Sequence, residues 1–189
     1  MHLVVGLGNP GARYARTRHN VGFLVVERLA ARAGAPVEKK LYGALVGDGV
    51  LAATKVMFAM PQQFMNLSGQ PVASILGFYK VARENLVVVH DDMDLPFGRL
   101  RVRVGGGHGG HNGIRDIQRL VGAEFVRVRV GVGRPPEKMD PADYVLAPWA
   151  PTESRDLDSV LDTASDAVES VVRVGVTQTM NTFNAAPSA

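Results

Sequence analysis

The sequence predicts an α/β fold, a single-domain three-layer sandwich in which helices flank a twisted, mixed β-sheet. Strand-like and helical segments alternate through most of the 189 residues, and several of the apolar runs have only four or five residues, as buried strands do. Some neighbouring strands are joined by connections too short for a parallel crossover, so antiparallel pairs must also be present. With 46% apolar residues, the chain can bury the core of one domain over residues 1–189, with a frayed tail from about residue 185.

The first half of the chain shows this alternation in order. Apolar residues at 3–7 predict a buried strand, which a Gly-Asn-Pro-Gly turn follows, and helical spacing from Val21 to Ala33 predicts a helix that Gly34 ends. Strands are predicted at 41–46 and 50–53 around a turn at 47–49, and at 56–60 before Pro61. Ser68 is placed to cap a helix that runs to Tyr79.

The second half continues the pattern and adds basic strands. A compact strand is predicted at 86–89, and a strand at 100–104 alternates apolar residues with arginines. A helix follows at 112–121, and a second strand at 126–132 carries Arg127 and Arg129 on one face. Apolar residues at helical spacing over 157–172 predict a long amphipathic helix.

Composition excludes several classes of protein. The absence of Cys excludes disulfide scaffolds, thiolate metal sites and Cys nucleophiles. No apolar run approaches the roughly 20 residues of a membrane helix, and no secretory signal is recognisable, so we expect a cytoplasmic protein without a membrane partner. The formal charge of +3 is unevenly spread, with a basic body and an acidic segment at 153–169. A nucleic-acid partner and a merely uneven solvated surface both fit this distribution.

The glycines at 6–11 fit the pattern G-x-G-x-x-G directly after a strand. A dinucleotide site would need a helix that begins within this loop, with Glu38 as a ligand of the ribose. Residues 12–20 contain no series of apolar residues at helical spacing, and Pro10 interrupts the loop. A structural turn is therefore the favoured interpretation of the motif.

Polar residues that can carry chemistry occur in two further places. His19 stands in a polar loop before the first helix, where an imidazole can take a proton from water near neutral pH. Asp91, Asp92 and Asp94 follow a buried strand, at the end of the strand where ligands of open α/β sheets gather. These carboxylates can hold Mg²⁺, can orient a histidine, or can cap nearby backbone.

Two more segments suggest a ligand site. The run at 105–113 contains six glycines and two histidines, which favours a backbone that lies close to a ligand. The segment at 62–69 follows another strand end. Phe64 there can stack on a base and Asn66 can bind a carbonyl, although a helix entry with Phe64 in the core fits equally well.

Taken together, these segments resemble the bacterial-type peptidyl-tRNA hydrolases. The matching blocks are 5–11 with Tyr14, Thr17-Arg18-His19-Asn20, 64–69, His90-Asp91-Asp92-Met93-Asp94-Leu95-Pro96, and 105–113. They occur in the family's order and spacing and span most of the chain. One departure is Asp92-Met93, where a Glu-Leu pair is more usual in the family.

The resemblance implies a role for particular residues. His19 matches the general base, Asp91 the carboxylate that orients it, and Asn9 the residue that distinguishes blocked from free aminoacyl ends. The remaining implied positions bind the peptide and the tRNA: Tyr14, Phe64, Asn66 and Asn112 in the groove, and Arg103 and Arg129 at the 5′ phosphate. The implied enzyme is a monomer that recycles tRNA and peptide for translation and uses no metal or cofactor.

Two other functions remain open at this point. One is a metal-dependent phosphohydrolase that uses Asp91, Asp94, His108 and His111. The other is an RNA-binding or nucleotide-binding module without catalysis, based on the glycine pattern and the arginine-bearing strands.

Overall fold

Seven strands and six helices are formed by residues 1–185, which a computed structural model describes. The strands are β1 (His2–Gly6), β2 (Lys39–Leu41), β3 (Ala44–Leu51), β4 (Thr54–Pro61), β5 (Leu86–Asp92), β6 (Leu100–Val104) and β7 (Val126–Gly131). The helices are α1 (Val21–Arg32), α2 (Gly69–Tyr79), α3 (Asn112–Val121), α4 (Pro141–Val145), α5 (Pro151–Val174) and α6 (Val176–Phe183). The predicted frayed tail lies outside the described residues, except for residue 185.

The strands form one mixed sheet in the order β2-β3-β4-β1-β5-β7-β6. β1 is central because its apolar residues are buried on both faces, and it pairs in parallel with β4 on one side and β5 on the other. β7 continues the parallel part beyond β5, whereas β2, β3 and β6 are antiparallel to their neighbours. The predicted α/β class with a mixed sheet is confirmed.

Helices cover both faces of the sheet. Val4 of β1 packs in the core beneath α1 and α5, while its neighbours Leu3 and Val5 pack in the core beneath α2 and α3. This alternation follows from the two-residue repeat of a strand. The result is the predicted three-layer sandwich.

The antiparallel hairpins formed by β2, β3 and β4 differ from the predicted strands and turn at 41–53. β3 runs without interruption through Gly47 and Gly49, and the turns lie at Tyr42-Gly43 and Ala52-Ala53 instead. A Cβ atom on Gly47 would lie 2.5 Å from the carbonyl oxygen of Pro36, so this glycine admits the chain that follows α1. Ala52 and Ala53 adopt φ values of 48° and 61°, the paired positive angles of a tight hairpin turn.

The start of α2 also differs from its prediction. The Ser68 hydroxyl makes no cap; it donates instead to the carbonyl of Met65, within the short 3₁₀ helix Met65–Leu67. The amide of Gly69 donates to the Asp116 carboxylate of α3 at 2.8 Å. A carboxylate from a neighbouring helix therefore takes over the cap and ties α2 to α3.

The connections place an open crevice beside β1. From β1 the chain crosses over one face through α1 towards β4, and from β4 it crosses the other face through α2 to β5. Ligands of such sheets bind at the carboxyl ends of the strands where the crossovers diverge. None of the helices formed by residues 1–185 has the length and apolar character that a membrane crossing requires.

Candidate active site

A cleft of about 710 Å³ opens at the carboxyl ends of β1, β5 and β7 and beside the loop after β4. Its polar lining brings together residues that lie far apart in the chain. Of the nine predicted site residues, it includes eight: Asn9, His19, Phe64, Asn66, Asp91, Arg103, Asn112 and Arg129. Tyr14 lies outside the lining and packs edge to face against Phe64, with ring centroids 6.4 Å apart.

His19 and Asp91 are in direct contact. The short 3₁₀ helix Arg18–Asn20, which leads into α1, carries His19, and Asp91 lies within β5 rather than in the loop after it. His19 Nδ1 lies 2.8 Å from Asp91 Oδ2, so the prediction that these two side chains are neighbours is confirmed. Because an ionised carboxylate only accepts, Nδ1 carries the proton and Nε2 keeps its lone pair.

His111 occupies the other oxygen of the same carboxylate. Its Nε2 lies 2.9 Å from Asp91 Oδ1, and its Nδ1 accepts from the amide of Ile114 at the start of α3. The acceptor role of Nδ1 places the proton of His111 on Nε2, which donates to Asp91. Asp91 therefore accepts from two imidazoles at once, and its side chain is only 2% exposed.

Burial and these contacts set different pKa values around the cleft. Burial alone lowers the pKa of His19, but the charge and hydrogen bond of Asp91 outweigh it, so this pKa lies above its ordinary value. Burial lowers the pKa of His111, and Asp91 does not fully compensate. Burial favours the neutral form of Asp91, yet His19 and His111 hold its pKa far below the usual range. Asp91 is therefore ionised at neutral pH.

Asn9 is held so that its amide group points into the cleft. Its Oδ1 accepts from the amide of Met65 at 2.7 Å, which leaves the two Nδ2 protons as donors. The side chain of the buried Asn20 makes two hydrogen bonds to the backbone of Asn9, each 2.9 Å long. Its Oδ1 accepts from the N–H of Asn9, and its Nδ2 donates to the C=O of Asn9. Asn20 therefore fixes the position of Asn9.

The remaining amides and Phe64 are more open. Asn66 lies in the 3₁₀ helix Met65–Leu67, Asn112 is the first residue of α3, and both are exposed. Phe64 is 56% exposed, which excludes the alternative in which it lies in the core. An exposed aromatic ring at the mouth of a cleft is available for stacking.

The arginines of the two basic strands, β6 and β7, differ in their exposure and in their ionic partners. Arg103 of β6 is exposed and has no carboxylate partner within residues 1–185, whereas Arg129 of β7 donates to Asp92 at 2.6 Å. Arg127, which the alternation placed on the same solvated face, is 3% exposed. The face beneath the cleft is covered by the glycine-rich loop 105–113, and this loop buries Arg127.

Several contacts bear on a metal at this site. His19, Asp91 and His111 could offer three ligand atoms within 4.8 Å of one another. Their nitrogens and oxygens are at hydrogen-bond distances of 2.8 and 2.9 Å, shorter than the roughly 3.4 Å between ligands bound tetrahedrally at about 2.1 Å. The set proposed for a phosphohydrolase is not assembled, because Asp94 pairs with Arg134 and His108 Nδ1 accepts from Gly110.

The glycine pattern at 6–11 does not form a dinucleotide site. The helix that follows, α1, begins only at Val21, after a turn and the short 3₁₀ helix, so no helix N-terminus lies within the loop. A Cβ atom on Gly8 would lie 2.8 Å from the ring of Phe23. This glycine is explained by packing, and the dinucleotide interpretation is wrong.

Sequence reasoning missed four residues that hold the site. The motifs that contain Asn20 and His90 predict no role for them. The sequence suggests His111 only as a metal ligand and Arg127 only as a surface cation. Their position directly beside His19, Asp91 and Asn112 was a usable signal for the first three. Arg127 carried no signal, because its spacing is the same as that of the exposed arginines.

Comparison with known proteins gives consistent results. A family described as peptidyl-tRNA hydrolase matches residues 3–189 of the chain. Among curated relatives, the peptidyl-tRNA hydrolase of Geobacter sp. (strain M21) is 49% identical over 184 residues, which cover 97% of both chains. That of Anaeromyxobacter sp. (strain K) is 50% identical over 185 residues, covering 97% of this chain and 96% of the relative.

Solved structures agree with the sequence matches. The crystal structure of peptidyl-tRNA hydrolase from Acinetobacter baumannii is similar to this chain, with a TM-score of 0.92 and 40% identity. The match covers 98% of this chain and 95% of that structure.

Proposed function

Because this chain belongs to the peptidyl-tRNA hydrolase family, we propose that it hydrolyses the ester between a peptide and the 3′ end of tRNA, with His19 as general base. The observation that carries the proposal is the orientation of His19. Asp91 holds its Nδ1–H, and its Nε2 lone pair is left for a water molecule in the cleft. The ester is activated enough that an oriented water and a base suffice.

The reaction follows from these positions. His19 Nε2 takes a proton from water while the water oxygen bonds to the ester carbonyl carbon, which forms a tetrahedral intermediate. The bond from that carbon to the ribose oxygen then breaks, and the imidazolium gives its proton to the leaving ribose oxygen, which becomes a free hydroxyl while the peptide leaves with a carboxyl group. Asp91 stabilises the imidazolium between these steps and stays ionised throughout.

Asn9 is the donor best prepared for the developing oxyanion. Its carboxamide is already oriented by Met65, so its two donors face the cleft without reorganisation. The same donors match the amide carbonyl of a blocked N-terminal group and offer nothing to the ammonium of a free aminoacyl end. An ammonium buried without an acceptor is costly, so the cleft should favour N-blocked substrates.

The tRNA contacts are assigned by chemistry and position. Phe64 would stack on a base or ribose of the acceptor end, with Tyr14 supporting its ring, while Asn66 and Asn112 would bind the peptide backbone. Arg103 and Arg129 would bind phosphate oxygens without reading sequence, which suits a substrate that includes most tRNAs. We expect a monomer that works in the cytoplasm, which size-exclusion chromatography and cell fractionation can check.

The test is hydrolysis of N-acetyl-aminoacyl-tRNA and of its unblocked counterpart, with EDTA present. We expect release of free tRNA from the blocked substrate only. His19→Ala should lose at least about 100-fold in kcat and keep its affinity for tRNA within a few-fold. The matched control is His108→Ala, which removes a histidine of the same cleft that does not contact Asp91.

Three results would contradict the proposal. Retention of tight tRNA binding without hydrolysis would favour a binding module. Loss of activity in EDTA would favour the metal-dependent alternative. Substantial hydrolysis by His19→Ala would show that another group is the base.

A further inference from the structure

Arg127 is a buried cation beneath the cleft, and all its hydrogen-bond acceptors are neutral. It is 3% exposed, and none of its contacts within residues 1–185 is a carboxylate. Burial, and then the nearby charge of Arg129, lowers its pKa to about 10, so it is still charged at neutral pH. A buried charge without an ionic partner is costly, and a structural arginine would ordinarily be paired.

The guanidinium of Arg127 joins two parts of the site. Its Nε donates to His90 Nε2 at 3.2 Å, and its Nη1 donates to the carbonyl of Gly107 at 2.7 Å and, at 3.5 Å, to that of Gly105. His90 Nδ1 in turn lies 2.8 Å from the backbone carbonyl of Asp91, and its ring packs against His111. One side chain thus reaches both the strand that carries Asp91 and the loop that leads to His111.

The loop depends on such contacts for its order. Gly105 and Gly106 adopt φ values of 71° and 86°, and a run of glycines loses much conformational entropy when it is ordered. Arg127 binds the carbonyls of Gly105 and Gly107, and Gln118 of α3 donates to the carbonyl between them, that of Gly106, at 2.8 Å. These side-chain donors hold three successive carbonyls of the loop.

We propose that Arg127 is a positioning residue for the reaction: by fixing the glycine-rich loop to β5, it sets His111 and Asn112 against Asp91 and the substrate. The inference rests on the proposed function, since it concerns the geometry of that reaction. Arginine is required rather than any cation, because only the planar guanidinium presents separate donors to an imidazole and to two carbonyls.

Arg127→Lys tests the inference, because it keeps the charge and the aliphatic stem but loses the fork of donors. We expect kcat for N-acetyl-aminoacyl-tRNA to fall at least about 10-fold while KM stays within about threefold. Hydrogen exchange at residues 105–113 should become at least about 10-fold faster, with the core strands unchanged. Arg155→Gln, which removes an exposed guanidinium on α5, should match the wild type in every measurement.

Other results would overturn the inference. A wild-type kcat in Arg127→Lys, or a rise in KM alone, would show that only the charge matters. If this variant does not fold, Gln118→Met decides, because it removes the other loop donor from a half-buried position on a helix. It should speed loop exchange and lower kcat; faster exchange with normal kcat would contradict the proposal. Absence of hydrolysis by the wild type would instead contradict the proposed function.

Discussion

Three histidines around Asp91 are held in defined tautomers by their neighbours. His19 keeps its proton on Nδ1 because it donates to Asp91, and His111 keeps its proton on Nε2 because its Nδ1 accepts from the amide of Ile114. His90 donates from Nδ1 to the carbonyl of Asp91 and accepts from Arg127. Of these three histidines, only His19 therefore has an uncommitted ring lone pair, which supports the proposal that it acts as the base.

Asp91→Asn should change both the rate and its pH dependence. The pKa of His19 is raised by Asp91 against the lowering effect of burial, so removal of the carboxylate charge should lower it. The base is active when neutral, so the acidic limb of the kcat profile should move to lower pH, while kcat at its plateau falls at least about 100-fold. Rates from pH 5 to 9 measure both effects. Asp94→Asn, in the same cleft but paired with Arg134, should keep the wild-type limb; an unmoved limb in Asp91→Asn would contradict the pairing.

Asn9→Asp should distinguish the role of the Asn9 amide oxygen, which binds Met65, from that of its amide nitrogen, which faces the cleft. An aspartate can still accept from the amide of Met65 but presents an oxygen to the cleft in place of two donors. We expect kcat for the blocked substrate to fall about 100- to 1,000-fold, as when an oxyanion donor is lost. The preference for blocked over free aminoacyl-tRNA should also narrow, since a carboxylate attracts an ammonium. Asn66→Asp is the matched comparison, and a larger fall in kcat there would move the oxyanion donor to Asn66.

At the scale of elements, the site depends on how closely α1 approaches β1 and β5. The backbones of Gly6 in β1 and Gly22 in α1 touch: a Cβ atom on Gly6 would lie 2.1 Å from the carbonyl oxygen of Gly22. On the other side, a Cβ atom on Gly22 would lie 2.4 Å from the carbonyl oxygen of Val89. This contact brings the start of α1, and therefore His19, within reach of Asp91 on β5.

Gly22→Ala should destabilise the protein because its methyl group would meet backbone atoms that cannot move aside. We expect a loss of about 3 kcal/mol or more in the free energy of unfolding, measured by urea denaturation. Gly77→Ala in α2 is the matched control, with open space around its Cβ position. There the better helix propensity of Ala should add about 0.5–1 kcal/mol. Equal stabilities for the two variants would show that the contact at Gly22 is not tight.

The elements that the sequence predicts well are those whose burial follows a simple period. The helix at 112–121 is found as α3 with the same bounds, and the strand at 100–104 is β6. The turns of the hairpin at 39–61 are not predicted correctly, for two reasons. Gly47 is required by close packing against the segment that follows α1, not by a turn, and Ala52-Ala53 form a turn with positive φ angles that alanine rarely adopts. The cap of α2 comes from Asp116, 47 positions away, and local spacing cannot reveal it.

The same distinction applies to the site. Motifs pointed to the His19–Asp91 contact across 72 positions, and the structure bears out that contact. The burial of Arg127 could not be predicted, because its alternation is that of an exposed strand and the covering loop 105–113 lies elsewhere in the chain. The roles of His19, Asp91, Asn9 and the tRNA-contacting residues remain predictions.

At the scale of the whole molecule, the two charged faces differ in how far they are neutralised. On one face, Arg28 and Arg32 of α1 pair with the carboxylates of α5 that make the C-terminal segment acidic. On the other, Arg101 and Arg103 of β6 are exposed and have no such partners within the described chain. The carboxylates of α5 thus neutralise the arginines of α1, whereas the cleft face keeps its positive charge, which supports the proposed contact with tRNA phosphates.

Arg103→Gln should therefore alter the dependence of binding on salt. Affinity for a duplex falls as salt rises, because binding releases counterions from the phosphates. Each phosphate that a cation neutralises makes the slope of log affinity against log salt concentration more negative by about 0.9. We expect KM to rise for this variant and the slope, measured from 50 to 300 mM KCl, to become shallower by about that amount, with kcat changed little. Arg28→Gln removes the same charge from the neutralised face and should leave the slope unchanged. Equal slopes for Arg103→Gln and the wild type would place the phosphate elsewhere, whereas a shallower slope for Arg28→Gln would mean that tRNA reaches the α1–α5 face.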